Sequence, residues 1–143
     1  GLPYRSQIIF NSKTKIIINN SKATNISSSL LTLENKKNIY LILGGIAKED
    51  GFEKFCKFKN DIKQIYIFGK SRVLINKQIK LKKKSKINKN LKEVVNILWK
   101  DLLLINDQAT IIFAPACSSF DQFENFEKRG AYFNKLIFKK IKK

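Results

Sequence analysis

The sequence predicts an α/β fold: a Rossmann-like, mostly parallel sheet with helices on both faces and a β-hairpin at the N-terminal edge. Short apolar runs rich in Ile alternate with amphipathic segments, and such alternation indicates βαβ crossovers. Several of these runs end at Gly or Pro, as strands that lead into loops do. At 143 residues and 43% hydrophobic content, the chain is long and apolar enough to bury the core of one domain.

The N-terminal part predicts a hairpin followed by a helix. Residues 7–10 and 15–18 are β-branched runs around a short polar turn, which is typical of a β-hairpin. A helix is expected over about 24–34. Thr24 or Asn25 would be its N-cap, because a short side-chain oxygen can accept from the amides of the first turn.

Three continuous apolar runs predict strands that are buried on both faces of a parallel sheet. They cover residues 38–43, 64–68 and 110–114. Helices are predicted between and after them, at 51–57, 70–76 and 89–104, with a short strand at 79–81. The 89–104 segment is the clearest helix, with the apolar stripe Leu91, Val94, Val95, Leu98 and Leu102. The C-terminal helix is expected to place one apolar face inward: Phe126, Phe133, Ile137 and Ile141.

Ligands of such sheets bind beyond the carboxyl ends of the strands. This rule selects four loops, which we call the rim loops: 19–25, 44–50, 69–72 and 115–125. In the first, the amides of the helix start, with Lys22 and the hydroxyls of Ser21 and Thr24, would suit a carboxylate or phosphate, although an ordinary capped helix is the alternative. Lys48 could present a charge to a carboxylate, or be one surface lysine among many. Ser118 and Ser119 offer hydroxyl groups.

The chain lacks the residues that several classes of functional site require. The segment 44–48 is rich in glycine but is not a P-loop, because the G-x-x-x-x-G-K-[ST] pattern is missing. The chain has no His, so Cys117 has no histidine base to make it a nucleophile, and a His-based zinc site is excluded. Cys56 and Cys117 are interpreted as buried thiols. No apolar run reaches the roughly 20 residues that span a membrane. Since the chain has no Met, we expect a fragment of a longer polypeptide.

The net charge of +18 has two interpretations. Lysine is spread over the whole chain beside abundant Asn and Ile, which favours a compositional bias. The alternative is a small basic nucleic-acid-binding α/β module that uses residues 80–86 of the lysine-rich segment 77–86, together with the tail 138–143. Because no nucleic-acid-binding motif accompanies these lysines, nucleic acid is the less favoured partner.

Four stretches carry a resemblance to a known family. They are GLPYR at 1–5, NNSKATN at 19–25, LGGIAK at 43–48 and PACSSFDQFENFEKRG at 115–130. In this order they resemble the C-terminal domain of the D-glutamate-adding Mur ligases of peptidoglycan synthesis. The resemblance implies one domain over 1–143 of the Mur ligase C-terminal type, with the N-terminal UDP-substrate domain and the central ATP-binding domain outside this chain.

The resemblance also implies an activity for the whole enzyme. The family adds D-glutamate to UDP-N-acetylmuramoyl-L-alanine in the cytoplasm, using ATP to activate the substrate carboxylate as an acyl phosphate. ATP and Mg²⁺ are held mainly by the central domain, and the UDP-linked substrate by the other domains. The isolated C-terminal domain is therefore expected to bind D-glutamate and to be inactive alone, with no membrane partner.

Matching residue by residue, the resemblance implies two groups of binding residues. The D-glutamate site would consist of Thr24, Lys48, Ser119, Phe120 and Phe126. The nucleotide side would include Arg5 and Asn20. Asn20 stands where the family usually has Asp, which removes a charge from the nucleotide side. Ile46 and Ala47 replace the usual Asp-Gly before Lys48, which removes a carboxylate and a flexible glycine.

Overall fold

The structure is a computed structural model that describes residues 2–142, so Gly1 of the first resembling stretch lies outside it. Within this range the strands are β1 Gln7–Asn11, β2 Lys15–Asn19, β3 Ile39–Gly44, β4 Ile62–Phe68, β5 Ser85–Ile87 and β6 Ala109–Phe113. The α-helices are α1 Ile26–Leu33, α2 Arg72–Ile79, α3 Leu91–Leu103 and α4 Phe126–Ile141. Two 3₁₀ helices cover Phe52–Phe58 and Lys82–Lys84. None of the helices between residues 2 and 142 has the length and apolarity that crossing a bilayer requires.

The six strands form one sheet in the order β1-β2-β6-β3-β4-β5. Strands β2, β6, β3, β4 and β5 run parallel to one another, whereas β1 pairs antiparallel with β2 at the edge. This arrangement confirms the predicted mostly parallel sheet with an N-terminal hairpin edge. The carboxyl ends of the parallel strands consequently meet along one rim.

The central strands are apolar throughout because both of their faces are buried. On one face Leu41 and Ile67 pack in a cluster with α1, α2 and the 3₁₀ helix Phe52–Phe58. On the other face Ile42 and Phe113 pack with α3 and α4. The ring of Phe113 lies 4.4 Å from that of Phe133 on α4. The layered α/β/α packing follows from the alternation of side chains along each strand.

Three helices have the same type of N-cap, an asparagine with an extended backbone whose side-chain oxygen accepts a hydrogen bond from an amide of the first turn. The caps are Asn25 on α1, Asn90 on α3 and Asn125 on α4. Of the two cap candidates named for α1, Asn25 is therefore the N-cap, and Thr24 lies one residue before it. The segment expected as a helix at 51–57 is a 3₁₀ helix.

The strand predicted at 79–81 is wrong. Ile79 is the buried last residue of α2, and Lys80 follows in the left-handed conformation, with φ of 56°, that ends many helices. The edge strand lies further on, at Ser85–Ile87, where it pairs with β4. The apolar face of α4 is also narrower than predicted, since Phe126 is half-buried and Ile141 is exposed at the helix end.

Candidate functional site

The rim loops form one hydrogen-bonded surface at the carboxyl ends of the strands. Ala116 of the 115–125 loop donates its amide to Ala23 O of the 19–25 loop at 2.8 Å. Ile46 and Ser118 exchange two backbone hydrogen bonds of 3.0 Å and form an antiparallel bridge. The 69–72 loop joins them through a hydrogen bond of 3.0 Å from the Ser71 amide to Gly45 O of the 44–50 loop. Loops that are far apart in sequence therefore lie side by side.

A cavity of about 320 Å³ opens between three of these loops and the start of α4. All five residues of the predicted D-glutamate site line it, together with three neighbours. The lining residues are Thr24, Lys48, Ser118, Ser119, Phe120, Asn125, Phe126 and Glu127.

The cavity presents hydrogen-bond donors that are not engaged by the rest of the domain. Within residues 2–142, the structure gives no protein hydrogen bond to Thr24 Oγ1, Ser119 Oγ or Lys48 Nζ, and the ion pairs there do not include Lys48. Lys48 Nζ lies 5.8 Å from the centre of the Phe120 ring, and Lys22 Nζ lies 4.7 Å from that of Phe126. The start of α4 contributes Asn125, Phe126 and Glu127 to the lining. The Lys128 amide of its first turn donates to Asn125 Oδ1 at 2.8 Å, so the N-cap occupies this donor.

The first-turn amides of α1, which the sequence predicted as an anion-binding site, are occupied by side chains of the domain itself. The Ile26 amide donates to Glu49 Oε1 at 2.9 Å, and the Ser28 amide donates to Asn25 Oδ1 at 2.8 Å. The capped-helix alternative is therefore correct for these two amides. The Ser21 hydroxyl is not available to an anion either, because Ser21 is buried and its Oγ donates to Phe126 O at 2.7 Å. Glu49 also ties the loop that carries Lys48 to the beginning of α1, which holds that loop beside Thr24.

A second cavity, of about 340 Å³, contains both residues predicted for the nucleotide side, Arg5 and Asn20. Asn20 is 7% exposed and uses both ends of its amide: Oδ1 accepts from the Ser6 amide at 3.1 Å, and Nδ2 donates to Thr32 Oγ1 at 2.6 Å. Besides Arg5, Lys22 and Lys36 line this cavity, so its wall suits a phosphate-bearing ligand. The described residues contain no group of three His, Cys, Asp or Glu side chains that could hold a metal ion.

Arg129 is the residue near the site that the sequence interpretation missed. In sequence it resembles an exposed arginine on a polar helix face, but the structure buries it completely. Burial lowers its pKa to about 10, which keeps the guanidinium charged at neutral pH. Gly130 is the signal that could have revealed it, because a glycine in mid-helix often marks a close approach by another segment.

The two thiols differ from each other. Cys117 is buried in the rim, where burial raises its pKa to about 12, in agreement with the prediction of an unreactive thiol. Cys56 is half-buried, and its Sγ lies 3.2 Å from Ile79 O. The prediction of burial is thus right for Cys117 and only partly right for Cys56.

The lysine-rich segment lies away from the rim. It contributes to a cavity of about 650 Å³ at the amino ends of β4 and β5, lined by Lys59, Asn60, Lys77, Lys80, Leu81, Lys82, Lys83 and Lys84. Lys84 Nζ donates to Ile62 O at 2.9 Å and so supports the backbone rather than facing solvent freely. Among the described residues, no aromatic side chain lines this cavity, so they offer no stacking surface of the kind that single-stranded nucleic acids use.

Comparison with known proteins places the chain beside one group of enzymes, although no family model matches it. It is 38% identical over 137 residues to the UDP-N-acetylmuramoylalanine–D-glutamate ligase of Rickettsia felis, covering 95% of this chain and 30% of that protein. It is 38% identical over 148 residues to the enzyme of the same name from Prochlorococcus marinus, covering 99% and 31%. The chain therefore spans just under a third of the length of these relatives.

Solved structures agree on the fold. The chain superposes on MurF from Acinetobacter baumannii with a TM-score of 0.61 and 14% identity, covering 100% of this chain and 31% of that one. It matches folylpolyglutamate synthase from Thermotoga maritima with a TM-score of 0.58 and 14% identity, covering 96% and 31%. The chain is therefore homologous to just under a third of the UDP-N-acetylmuramoylalanine–D-glutamate ligases, and it shares its fold with part of MurF.

Proposed function

We propose that this chain is the C-terminal, D-glutamate-binding domain of a cytoplasmic ATP-dependent ligase that adds D-glutamate to UDP-N-acetylmuramoyl-L-alanine. One observation carries the proposal. Five residues from distant parts of the sequence, Thr24, Lys48, Ser119, Phe120 and Phe126, line a single cavity at the rim of the sheet. Relatives that are 38% identical to this chain are named UDP-N-acetylmuramoylalanine–D-glutamate ligases.

The chemistry of the cavity suits an amino acid with two carboxylates. Lys48 and the hydroxyls of Thr24 and Ser119 supply a charge and donors from three different rim loops, a set that suits two carboxylates. Glu127, at the start of α4, offers a carboxylate that could attract the ammonium group. Phe120 is exposed and could cover the methylene groups of the ligand.

The domain's part in the reaction would be orientation rather than bond chemistry. Held by its carboxylates, the amino acid would direct its amine towards a substrate carboxylate that ATP has activated elsewhere in the longer polypeptide, and such positioning is a major source of rate. Arg5 and the neighbouring lysines fit the phosphates of ATP at the second cavity. Mg²⁺ would be held mainly by residues outside this chain, since neither cavity has a pair of carboxylates among its described lining residues: the first has Glu127 and the second has none.

The test is steady-state kinetics on the full natural polypeptide that contains this chain. We expect Lys48→Ala and Thr24→Ala each to raise the KM for D-glutamate by about tenfold or more, because a hydrogen bond to a charged group is lost. The KM for ATP should stay nearly unchanged. Lys92→Ala removes an exposed lysine on α3 and is the matched control. If both site variants keep wild-type kinetics, the assignment of this cavity is wrong.

A further inference from the structure

We propose that Arg129 is a positioning residue for the amino-acid cavity, holding the 19–25 and 115–125 rim loops in the arrangement that brings Thr24 and Ser119 together. This inference rests on the proposed function. Nothing in the comparisons assigns a role to this side chain, which does not line the cavity itself.

The guanidinium of Arg129 joins two loops that are almost a hundred residues apart in sequence. Its Nε donates to Ser21 Oγ at 3.0 Å and its Nη2 to Ser21 O at 2.7 Å. Its Nη1 donates to Cys117 O at 3.0 Å. Ser21 lies three residues before Thr24, and Cys117 lies two residues before Ser119. The three hydrogen bonds therefore act directly behind two of the cavity-lining hydroxyls.

The start of α4 belongs to the same network. Ser21 Oγ, which accepts from Arg129, donates in turn to Phe126 O at 2.7 Å. Phe126 lines the cavity. Lining residues on three segments are thus connected through Ser21 and Arg129, and displacing this guanidinium would release all three segments at once.

The charge of Arg129 is costly for a purely structural residue. Its side chain is 0% exposed, and its three acceptors are two carbonyls and a hydroxyl rather than a carboxylate. A buried cation without a paired anion is expensive, and apolar residues of similar volume often give equal or greater stability. What an apolar residue cannot supply is a planar set of donors at fixed angles, which here reaches two loops. The cost is consistent with selection for loop geometry.

Conservative substitution tests this role in the full natural polypeptide. Arg129→Lys keeps the charge but cannot reach all three acceptors, and Ser21→Ala removes the hydroxyl that joins Arg129 to Phe126. We expect kcat/KM for D-glutamate to fall about 10- to 100-fold in Arg129→Lys, as misplacement of binding groups by about 1 Å does, and less in Ser21→Ala. The change should appear mainly in the KM for D-glutamate.

A matched control separates positioning from general loss of stability. Leu98 is fully buried on α3, away from the rim, and Leu98→Ala should lower the melting temperature without changing the KM for D-glutamate. The labelling rate of Cys117 by a thiol reagent, followed by peptide mass spectrometry, reports directly on the 115–125 loop. It should rise in Arg129→Lys and Ser21→Ala, and stay low in Leu98→Ala when the proteins are compared well below their melting temperatures.

The outcomes distinguish this inference from the proposed function. A wild-type protein that does not use D-glutamate overturns the proposed function and this inference with it. An active wild type whose Arg129→Lys and Ser21→Ala variants keep its D-glutamate KM and slow Cys117 labelling overturns the inference alone. A D-glutamate KM that rises as much in Leu98→Ala also overturns it, because the effect would then follow stability.

Discussion

Replacing Gly130 by alanine should destabilise the domain even though alanine is the better helix former. Gly130 is the fifth residue of α4, where the N-terminal segment crosses the helix. A Cβ atom at this position would lie 2.5 Å from Cγ and 2.6 Å from Cδ1 of Tyr4, and 3.1 Å from Cβ of Ser21. The first two distances are far below van der Waals contact, so the ring of Tyr4 must move.

Two opposing effects determine how much Gly130→Ala changes the free energy of unfolding. Alanine in place of glycine within a helix gains about 1 kcal/mol. Overpacking that displaces a neighbouring side chain costs about 1–3 kcal/mol. We therefore expect the free energy of unfolding to fall by about 1 kcal/mol in Gly130→Ala. In a Tyr4→Ala background the overlap with the ring disappears, and the same substitution should stabilise the domain by about 0.5 kcal/mol, since the contact with Ser21 stays tight.

Urea denaturation of the wild type, both single variants and the double variant measures this coupling. The single tryptophan of the chain, Trp99 on α3, provides the fluorescence signal. The expected coupling energy between Tyr4 and Gly130 is about 1–2 kcal/mol. Effects that add within about 0.3 kcal/mol, or a Gly130→Ala protein more stable than wild type, would refute the reasoning. Because Tyr4 precedes Arg5, a confirmed displacement would also link α4 to the second cavity.

Two further predictions concern stability. Asn25→Ala should lower the free energy of unfolding, measured in urea, by about 1 kcal/mol, because the Ser28 amide loses its acceptor. Ser27 is exposed, and Ser27→Ala should change this free energy little. Equal losses in the two variants would contradict the role of Asn25 as N-cap. Burial raises the pKa of the Cys117 thiol from 9.0 to about 12, so the unfolded chain releases this proton first as the pH rises. As the pH rises from 9 to 10, this thiol should therefore lower the free energy of unfolding by about 1 kcal/mol. The loss should be absent in Cys117→Ala. Identical pH profiles of the two proteins would contradict this prediction.

The fold could be predicted largely because the buried strands have a local signature. A strand that is covered on both faces must be apolar at nearly every position, so β3, β4 and β6 stand out in the sequence. The edge strand β5 does not, because Ser85–Ile87 joins the sheet through backbone hydrogen bonds to β4 while its side chains remain largely exposed. Backbone pairing of this kind requires no apolar pattern.

The residues of the candidate site could be named from motifs, but their surroundings could not. The segment before α1 has the composition of an anion site, and nothing local shows that Glu49, over twenty residues later, bonds to the Ile26 amide. Arg129 has the same difficulty. The two residues before it, Glu127 and Lys128, are charged, as on an exposed helix face, and its hydrogen-bond acceptors lie in two other loops.

The sequence by itself determined the order of strands and helices, the sheet edge at which ligands are predicted to bind, and the motifs that relate this chain to the D-glutamate ligases. These properties follow from local patterns of apolar side chains, glycines and caps. Only the tertiary structure decided that Thr24, Lys48 and Ser119 share one cavity, and that a buried arginine joins the loops behind it. Hydrogen bonds between distant loops depend on distances and angles that the parallel sheet creates when it assembles, and no local pattern contains them.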